Sequence, residues 1–274
     1  MDKIIIEPGK VEKNYWRDIW RFKELFIILS WRDVKVRYKQ TTVGLLWAFI
    51  RPFLTMIIFT FIFNKVAGLK SDSSAPYSLL VFAALLPWQF FSTSIISASE
   101  SLLVNANLLS KVYFPRIIVP ASSIITNFID LIISLGILVL MMIYYSYVPN
   151  LYILYLPVFI LFSLFSSLSF GIFFATLNVN YRDFRYVIPF IIQIGLYVSP
   201  VGFSSSVIPE EWKLLYYLNP VAGIIDGFRW SIIKDSGINI FSPYILLSFS
   251  TSVIFCFIGV RKFRRMEKTI ADII

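Results

Sequence analysis

Long apolar runs alternate with short polar segments along this chain, and only one period fits them. Each run is close to twenty residues or longer with few charges, the length an α-helix needs to cross the hydrocarbon core of a bilayer. Six such helices are predicted, over residues 43–64, 78–99, 117–144, 151–177, 187–203 and 243–260. Backbone polar groups in lipid must be satisfied within the segment, which favours helices. The period-two alternation of a membrane barrel is absent. The fold class that follows is an all-α membrane protein with six transmembrane helices.

The segments between these runs have patterns of their own. Tyr15, Ile19, Phe22, Phe26 and Leu29 recur at helical spacing, with Arg17, Arg21 and Lys23 between them. That predicts an amphipathic helix over Tyr15–Leu29, lying on a membrane surface. Ser30 followed by Asp33 predicts the N-cap of a second helix that leads into the first span. Residues 100–115, ESLLVNANLLSKVYFP, are too polar to cross and predict a short amphipathic helix. Residues 201–242 hold two short apolar stretches, broken by Pro209 and by Asn219–Pro220. They predict two short re-entrant helices before the last span. Glu210 and Glu211 read as helix-start residues, since acids favour N-termini. Pro87, Pro115, Pro120, Pro157, Pro189 and Pro200 mark kinks or span ends. The organisation is an interfacial segment (1–42), a transmembrane domain (43–260) and a tail (261–274), with no clear repeat and no low-complexity tract.

Composition narrows the function classes. The chain is 58% hydrophobic and 15% charged, whereas soluble domains carry about 25% charged residues. Of the 25 Lys and Arg, all but Lys65, Lys70, Lys213, Arg229 and Lys234 fall on one side of the six spans. By the positive-inside rule both termini are cytoplasmic. On the opposite side Asp72, Glu210, Glu211, Asp226 and Asp235 balance those five cations. The net charge of +9 therefore reflects topology and contact with anionic lipid, not nucleic-acid binding. Histidine is absent, which excludes His-based triads, HExxH zinc sites and a His proton relay. Cys256 is the single cysteine, so the chain forms no internal disulfide and has no CxxC; it reads as a small packing or lipid-facing residue. No GxxxxGK[ST] occurs, so the chain does not bind ATP through a P-loop, and neither a metal nor a cofactor is expected in it. The N-terminal residues lack an apolar h-region before a small-residue cleavage site, so no cleaved signal peptide is expected.

Two charges enter the apolar runs. Arg51 follows Arg32, Lys35, Arg37 and Lys39 past the boundary of the first span, and Asp130 sits near the middle of the third, three residues after Asn127. A charge at membrane depth faces protein, water or an anionic partner. Asp130 reads either as a proton-coupling carboxylate or as a buried polar contact. With Arg51 the only other cation inside a span, the buried contact is the expectation.

Three segments carry a resemblance to a known family: WRDVKVRYKQTTVGLLWAFIRP at 31–52, LLPWQFFS with NANLLSKVYFPRIIVP at 85–120, and LNPVAGIIDGFRWSII at 218–233. The chain resembles the membrane subunit of ABC-2-type exporters, and among them the permeases that move O-antigen, capsule or teichoic acid chains. That resemblance implies a homodimer in the bacterial inner membrane, with its channel at the dimer interface. It implies two copies of a separate ATPase, which would hold ATP and magnesium. The cargo it implies is an undecaprenyl-pyrophosphate-linked polysaccharide, most simply O-antigen. Residues 100–112 would match the coupling helix that docks on the ATPase, with Glu100, Leu103, Asn107, Leu108 and Lys111 as contacts. Residues 211–233 would match the pair of short outer helices that close the exit.

Within that frame Arg37, Lys39 and Arg51, beside Tyr38 and Trp47, are candidates for the lipid pyrophosphate at the entry, because arginine forks suit phosphate oxygens. Ordinary positive-inside anchoring, with Trp47 in an interfacial belt, is the alternative. The 27 Phe, 15 Tyr and 7 Trp suit stacking on sugar rings, though most would face lipid. Phe49, Phe53, Phe63, Phe190 and Tyr197 are the channel candidates, and Trp212, Tyr216 and Tyr217 the outer-gate candidates. The rival readings are an ABC-2 exporter of a drug or small lipid, an ion-coupled transporter, and a membrane glycan enzyme. No catalytic cluster among the outer acids favours the last.

Overall fold

The computed structural model describes residues 15–39, 45–68, 75–233 and 240–268, with the side chains of 45–48 left aside. These residues are helical, with no strand among them. In chain order the helices are α1 (Tyr15–Arg21), α2 (Lys23–Lys39), α3 (Leu45–Phe59), α4 (Tyr77–Val104), α5 (Ala106–Lys111), α6 (Ile118–Tyr144), α7 (Leu156–Asn180), α8 (Phe184–Val198), α9 (Glu210–Tyr216), α10 (Pro220–Ile232) and α11 (Pro243–Met266). A π-helical turn, Thr60–Val66, continues α3, and a 3₁₀ turn, Leu151–Tyr155, leads into α7. Five of these stretches are long and apolar enough to cross a membrane: Phe49–Val66, Tyr77–Val104, Ile118–Tyr144, Leu151–Asn180 and Pro243–Met266.

Helix α4 is the axle of the bundle. Leu79 to Leu86 are buried without exception, as expected of a helix that is apolar on every face. It packs on α6, α7, α10 and α3. Small residues let these backbones approach, the usual solution where lipid is as apolar as leucine. Ser94, Ser163, Ser166, Ser167 and Ser169 are all buried, and Asn178 on α7 donates to the Ser99 carbonyl of α4 at 2.8 Å. The crossing of α11 with α7 requires a glycine: a Cβ on Gly259 would lie 3.2 Å from both the Phe173 nitrogen and the Ser169 oxygen. Helices α3 and α11 are peripheral, and Leu54, Ile57, Ile58, Leu246, Val253 and Phe257 are exposed on them.

A second apolar cluster closes the end of the bundle that carries Lys111, Arg116 and Arg261. It joins Tyr15 and Leu29 to Leu102, Leu109, Phe114, Val179, Phe263 and Met266. At this basic end Arg116 donates its backbone N–H to Glu267 Oε1 at 2.7 Å, and its Nη1 to the Glu267 carbonyl at 3.1 Å. The Arg264 guanidinium lies over the Tyr15 ring, 4.8 Å from its centroid. Burial pushes the Glu267 carboxyl above its usual range, an effect offset in part by the Arg116 N–H, Tyr15 and the two arginines. The N-terminal helix is thereby tied to the last one.

Several expected boundaries move. The predicted surface helix Tyr15–Leu29 is divided at Phe22, and α2 then runs unbroken to Lys39. Ser30 does not cap a helix: its hydroxyl donates back to the Phe26 carbonyl at 2.8 Å, inside α2. Serine and aspartate tolerate such interior positions when their side chains find local partners, and Asp33 pairs with Arg32 at 2.8 Å. The short helix expected over 100–115 is smaller. Ser101 and Leu102 are buried and keep α4 going through Val104, so Glu100 and Leu103 belong to its last turn. Asn105 then ends it, donating to the Ser101 carbonyl at 2.8 Å, and only Asn107, Leu108 and Lys111 fall on α5. The run predicted over 187–203 is helical over Phe184–Val198, about 22 Å at 1.5 Å per residue, and Ser199–Pro200 ends it. The predicted start of the first span at Val43 and the loop charges Lys70, Asp72, Lys234 and Asp235 lie outside the described residues.

Candidate functional site

Helix α2 does more than lie on a surface. Its C-terminal half packs along α6, and this brings Arg37 and Tyr38 to Asp130. Arg37 Nη1 donates to Asp130 Oδ2 at 2.7 Å and to Asn127 Oδ1 at 2.9 Å. The Tyr38 hydroxyl donates to the other Asp130 oxygen. Burial and this hydrogen bond push the Tyr38 phenol up, so it stays protonated. Asp130 is twelve residues into α6, about 18 Å from the helix start. The cation that Asp130 lacked in the sequence reading is therefore Arg37, which belongs to no predicted span. Arg32 fixes the other end of the arrangement, its Nη2 donating to Asn105 Oδ1 at 2.8 Å.

This cluster opens onto a cavity of about 480 Å³ bounded by α2, α3, α4, α6 and α8. Arg51, Pro52 and Thr55 come from α3, Gln89 and Thr93 from α4, and Gln193 from α8. The Thr55 hydroxyl donates to the Arg51 backbone carbonyl at 2.9 Å. The Arg37–Asp130 pair is half-buried, with 38% and 30% of the side chains exposed. A pocket with two guanidinium groups, one aspartate and several hydroxyl and amide groups can hold an anion, the aspartate offsetting one of the two cations. Among the described residues no group of three His, Cys, Asp or Glu side chains gathers to hold a metal.

A different polar cluster sits at the opposite end, on α10. The Asn219 side chain accepts from the Val221 N–H at 3.1 Å and starts this helix, with Pro220 in its first turn. Arg229 is 1% exposed. Its guanidinium donates to the carbonyls of Phe203 at 2.6 Å, Val201 at 2.9 Å and Leu80 at 3.4 Å. Asp226, also buried, accepts from the Tyr217 hydroxyl at 2.5 Å. Helix α10 is so tightly enclosed that a Cβ on Gly227 would fall 2.1 Å from the Phe159 ring. These two charges read from sequence as outer-side residues; the structure places them inside the bundle.

The aromatic candidates divide. Phe49 and Phe53 stack at 6.0 Å and are exposed on α3, and Phe190 and Tyr197 are exposed on α8. Phe63 is turned inward against Gly202. At the opposite end Trp212 is exposed, Tyr216 half-buried, and Tyr217 buried and stacked on Tyr244 at 5.4 Å. Lys39 is exposed at the end of α2, and the Trp47 side chain is not among those described. Asn127 was noted from sequence only as a neighbour of Asp130, and the α4 polar pair Gln89 and Thr93, which also line the cavity, were missed. Their signal was available: polar residues three or four apart inside apolar runs share one helix face.

With this geometry in view, the family model for the ABC-2 type transporter matches residues 24–233, from α2 to the end of α10. The chain belongs to the ABC-2 type transporter family. An O-antigen export system permease protein RfbA of Myxococcus xanthus is 26% identical over 215 residues, 78% of this chain and 82% of its own length. Two proteins of the same name from Klebsiella pneumoniae are 26% and 27% identical over 252 residues, 92% of this chain and 95% of theirs. The match takes in α2, α3 and α6, so the cavity and both arginine clusters lie within the family's shared body. This ABC-2 chain is thus a multi-pass membrane protein.

Proposed function

We infer that this chain is the membrane-spanning permease subunit of an O-antigen export system. The observation that carries the reading is near end-to-end similarity, over 92% of this chain, to permeases of that name, together with a cavity lined by Arg51 beside an arginine–aspartate pair. ATP is hydrolysed by a separate ATPase, two copies of which bind a permease homodimer. The basic end faces the cytoplasm and the membrane is the bacterial inner membrane. Helix α8 makes the sixth crossing, and α9 and α10 are re-entrant from the outer side. Their apolar surfaces and the basic-end excess of Lys and Arg support that arrangement.

The cargo is a polysaccharide carried on a lipid pyrophosphate. It enters at Arg37, Tyr38, Lys39, Trp47 and Arg51, where two forked guanidinium groups suit phosphate oxygens. Exposed Phe49, Phe53, Phe190 and Tyr197, and Phe63 after a shift, offer stacking faces to sugar rings along the channel. Trp212 and Tyr216 stand at the exit, with Tyr217 as the strut behind them. The last turn of α4 (Glu100, Leu103) and α5 (Asn107, Leu108, Lys111) form the surface on which the ATPase docks.

The test is purification from the native membrane in mild detergent, followed by mass spectrometry. A stoichiometric P-loop ATPase is expected, and surface O-antigen should vanish when the permease is deleted. A folded preparation without that ATPase, or a deletion that leaves O-antigen on the surface, would overturn the reading.

A further inference from the structure

Phosphate oxygens reaching the cavity find Arg37 already engaged. Its Nη1 holds Asp130 at 2.7 Å and Asn127 at 2.9 Å. The pair is half-exposed and lines the cavity wall, so another anion can reach the guanidinium without unpacking the bundle. Arg51 lines the same cavity from α3. Asp130 is the only carboxylate among the described residues lining it. A purely structural charge would be shielded from the cavity, as the 1% exposed Arg229 is, with its guanidinium on backbone carbonyls. Two features set this pair apart. A carboxylate competes directly with phosphate for the same fork, and its protein partner Tyr38 can hold it after the guanidinium leaves.

We propose that Asp130 is the resident counter-ion of Arg37, exchanged for the phosphate of the incoming cargo. The inference rests on the entry-site reading above and assigns Asp130 a specificity role within it. With the cavity empty, Asp130 neutralises Arg37 and fastens α2 to α6. A single phosphate or a carboxylate pays the cost of displacing Asp130 without using both cations well. A pyrophosphate spans Arg37 and Arg51 and displaces it. The Arg37–Asp130 contact between α2 and α6 then opens while Tyr38, also on α2, keeps Asp130, so the tie of α2, itself joined to α4 through Arg32 and Asn105, loosens in response to cargo. The pair acts as a selectivity filter by charge and as a sensor of occupancy. No proton transfer is required.

The experiment measures equilibrium binding of radiolabelled farnesyl pyrophosphate, and separately of inorganic pyrophosphate, to the permease purified with its ATPase in nanodiscs. Wild type, Arg37→Gln, Asp130→Asn and Asp130→Glu are compared. Asp130→Asn keeps the acceptor for Tyr38 but removes the competing charge, so it should bind roughly three- to tenfold more tightly, the span of a half-exposed charged hydrogen bond. Asp130→Glu restores the charge and should return towards wild type, and Arg37→Gln should bind several-fold more weakly. A misfolded variant would lose binding, so a gain cannot come from structural damage. Farnesyl pyrophosphate bound more tightly than inorganic pyrophosphate identifies a lipid head group as the ligand, and equal affinities identify free phosphate chemistry; either supports the exchange if the order of the variants holds. Binding that depends on Arg37 but is unchanged or weakened in Asp130→Asn overturns the exchange alone. Equal binding by wild type and Arg37→Gln, or none by either, overturns the entry-site reading and the exchange with it.

Discussion

Arg229 and Arg37 each lie within reach of an aspartate in apolar surroundings, and their environments differ in every other respect. Arg229 is sealed, and its donors go to three backbone carbonyls from two separate segments. Its neighbour Asp226 is held by Tyr217. Arg37 reaches its aspartate directly, stays half-exposed, and shares a cavity with Arg51. The first arrangement is what a load-carrying joint requires: Val201 and Phe203 follow the end of α8, and Arg229 ties both this turn and α4 to α10. The second has charge to spare. A charged residue inside a membrane protein is a functional candidate by default, but its partners decide the case. Carbonyls make a rivet, and a half-exposed carboxylate between two cations leaves charge that an incoming anion can meet.

The same kind of substitution should therefore have opposite consequences at the two places. Arg229→Met removes the donors for the Leu80, Val201 and Phe203 carbonyls and leaves Asp226 buried without its nearby cation. The expected cost is about 3–5 kcal/mol, enough to remove folded protein from the membrane. Arg229→Lys should not rescue it, because one ammonium cannot replace a fork. Fluorescence-detected size exclusion of a tagged chain reads this directly, and a monodisperse Arg229→Met peak at wild-type height would break the distinction. Tyr217→Phe comes next. It strips Asp226 of a 2.5 Å hydrogen bond and should cost about 1–3 kcal/mol, seen as a lower unfolding temperature in detergent, with export per folded molecule retained. Arg51→Ala should do the reverse. The chain should reach the membrane and bind the ATPase at wild-type levels, while export of O-antigen falls about tenfold, the lower range for losing a hydrogen bond to a charged group. Undiminished surface O-antigen in that variant would refute its entry role.

Much of this contrast was legible in the sequence, and the reason for the rest is physical. Five of the six predicted spans, the basic end and the breaks at Pro200 and Asn219 followed from hydropathy, charge and backbone chemistry, which are local. Arg37 and Arg51 were singled out because cations crossing from a basic segment into an apolar run are visible in one dimension. The Asp130 pairing was not, since Arg37 lies ninety-three residues away in sequence and outside every predicted span. Nor was the burial of Asp226 and Arg229. A short helix between Pro209 and Ser242 looks the same whether lipid, water or protein surrounds it, and only the packing of α4, α7 and α11 around α10 decides which. Ser30 and Asp33 misled for a related reason: the spacing of a capping box also arises by chance within a helix whose tertiary contacts carry it onward.

Glu267 occupies the ground between the two arginine sites and gives the smallest effect. It is buried at the basic end, where the Arg116 N–H and guanidinium, the Arg264 guanidinium over Tyr15, and the Tyr15 hydroxyl face it from the segment before α6, from α11 and from α1. Those partners do not fully offset burial, and its carboxyl is held above the ordinary value of 4.5. A group whose folded value is raised takes up protons more readily when folded than when unfolded, so folding gains stability as the pH falls. The gain is lost as the pH rises through the raised value and is complete below about 4.5, the unfolded value. Glu267→Gln keeps an acceptor for the Arg116 N–H and cannot titrate. The wild-type unfolding temperature should therefore rise relative to that of Glu267→Gln as the pH is lowered from 8 towards 5, with every other titrating group common to both. If the difference between the two were flat across that range, the partners of Glu267 would offset its burial completely. The basic end would then be a second rivet, and the tie between α1 and α11 would carry no memory of pH.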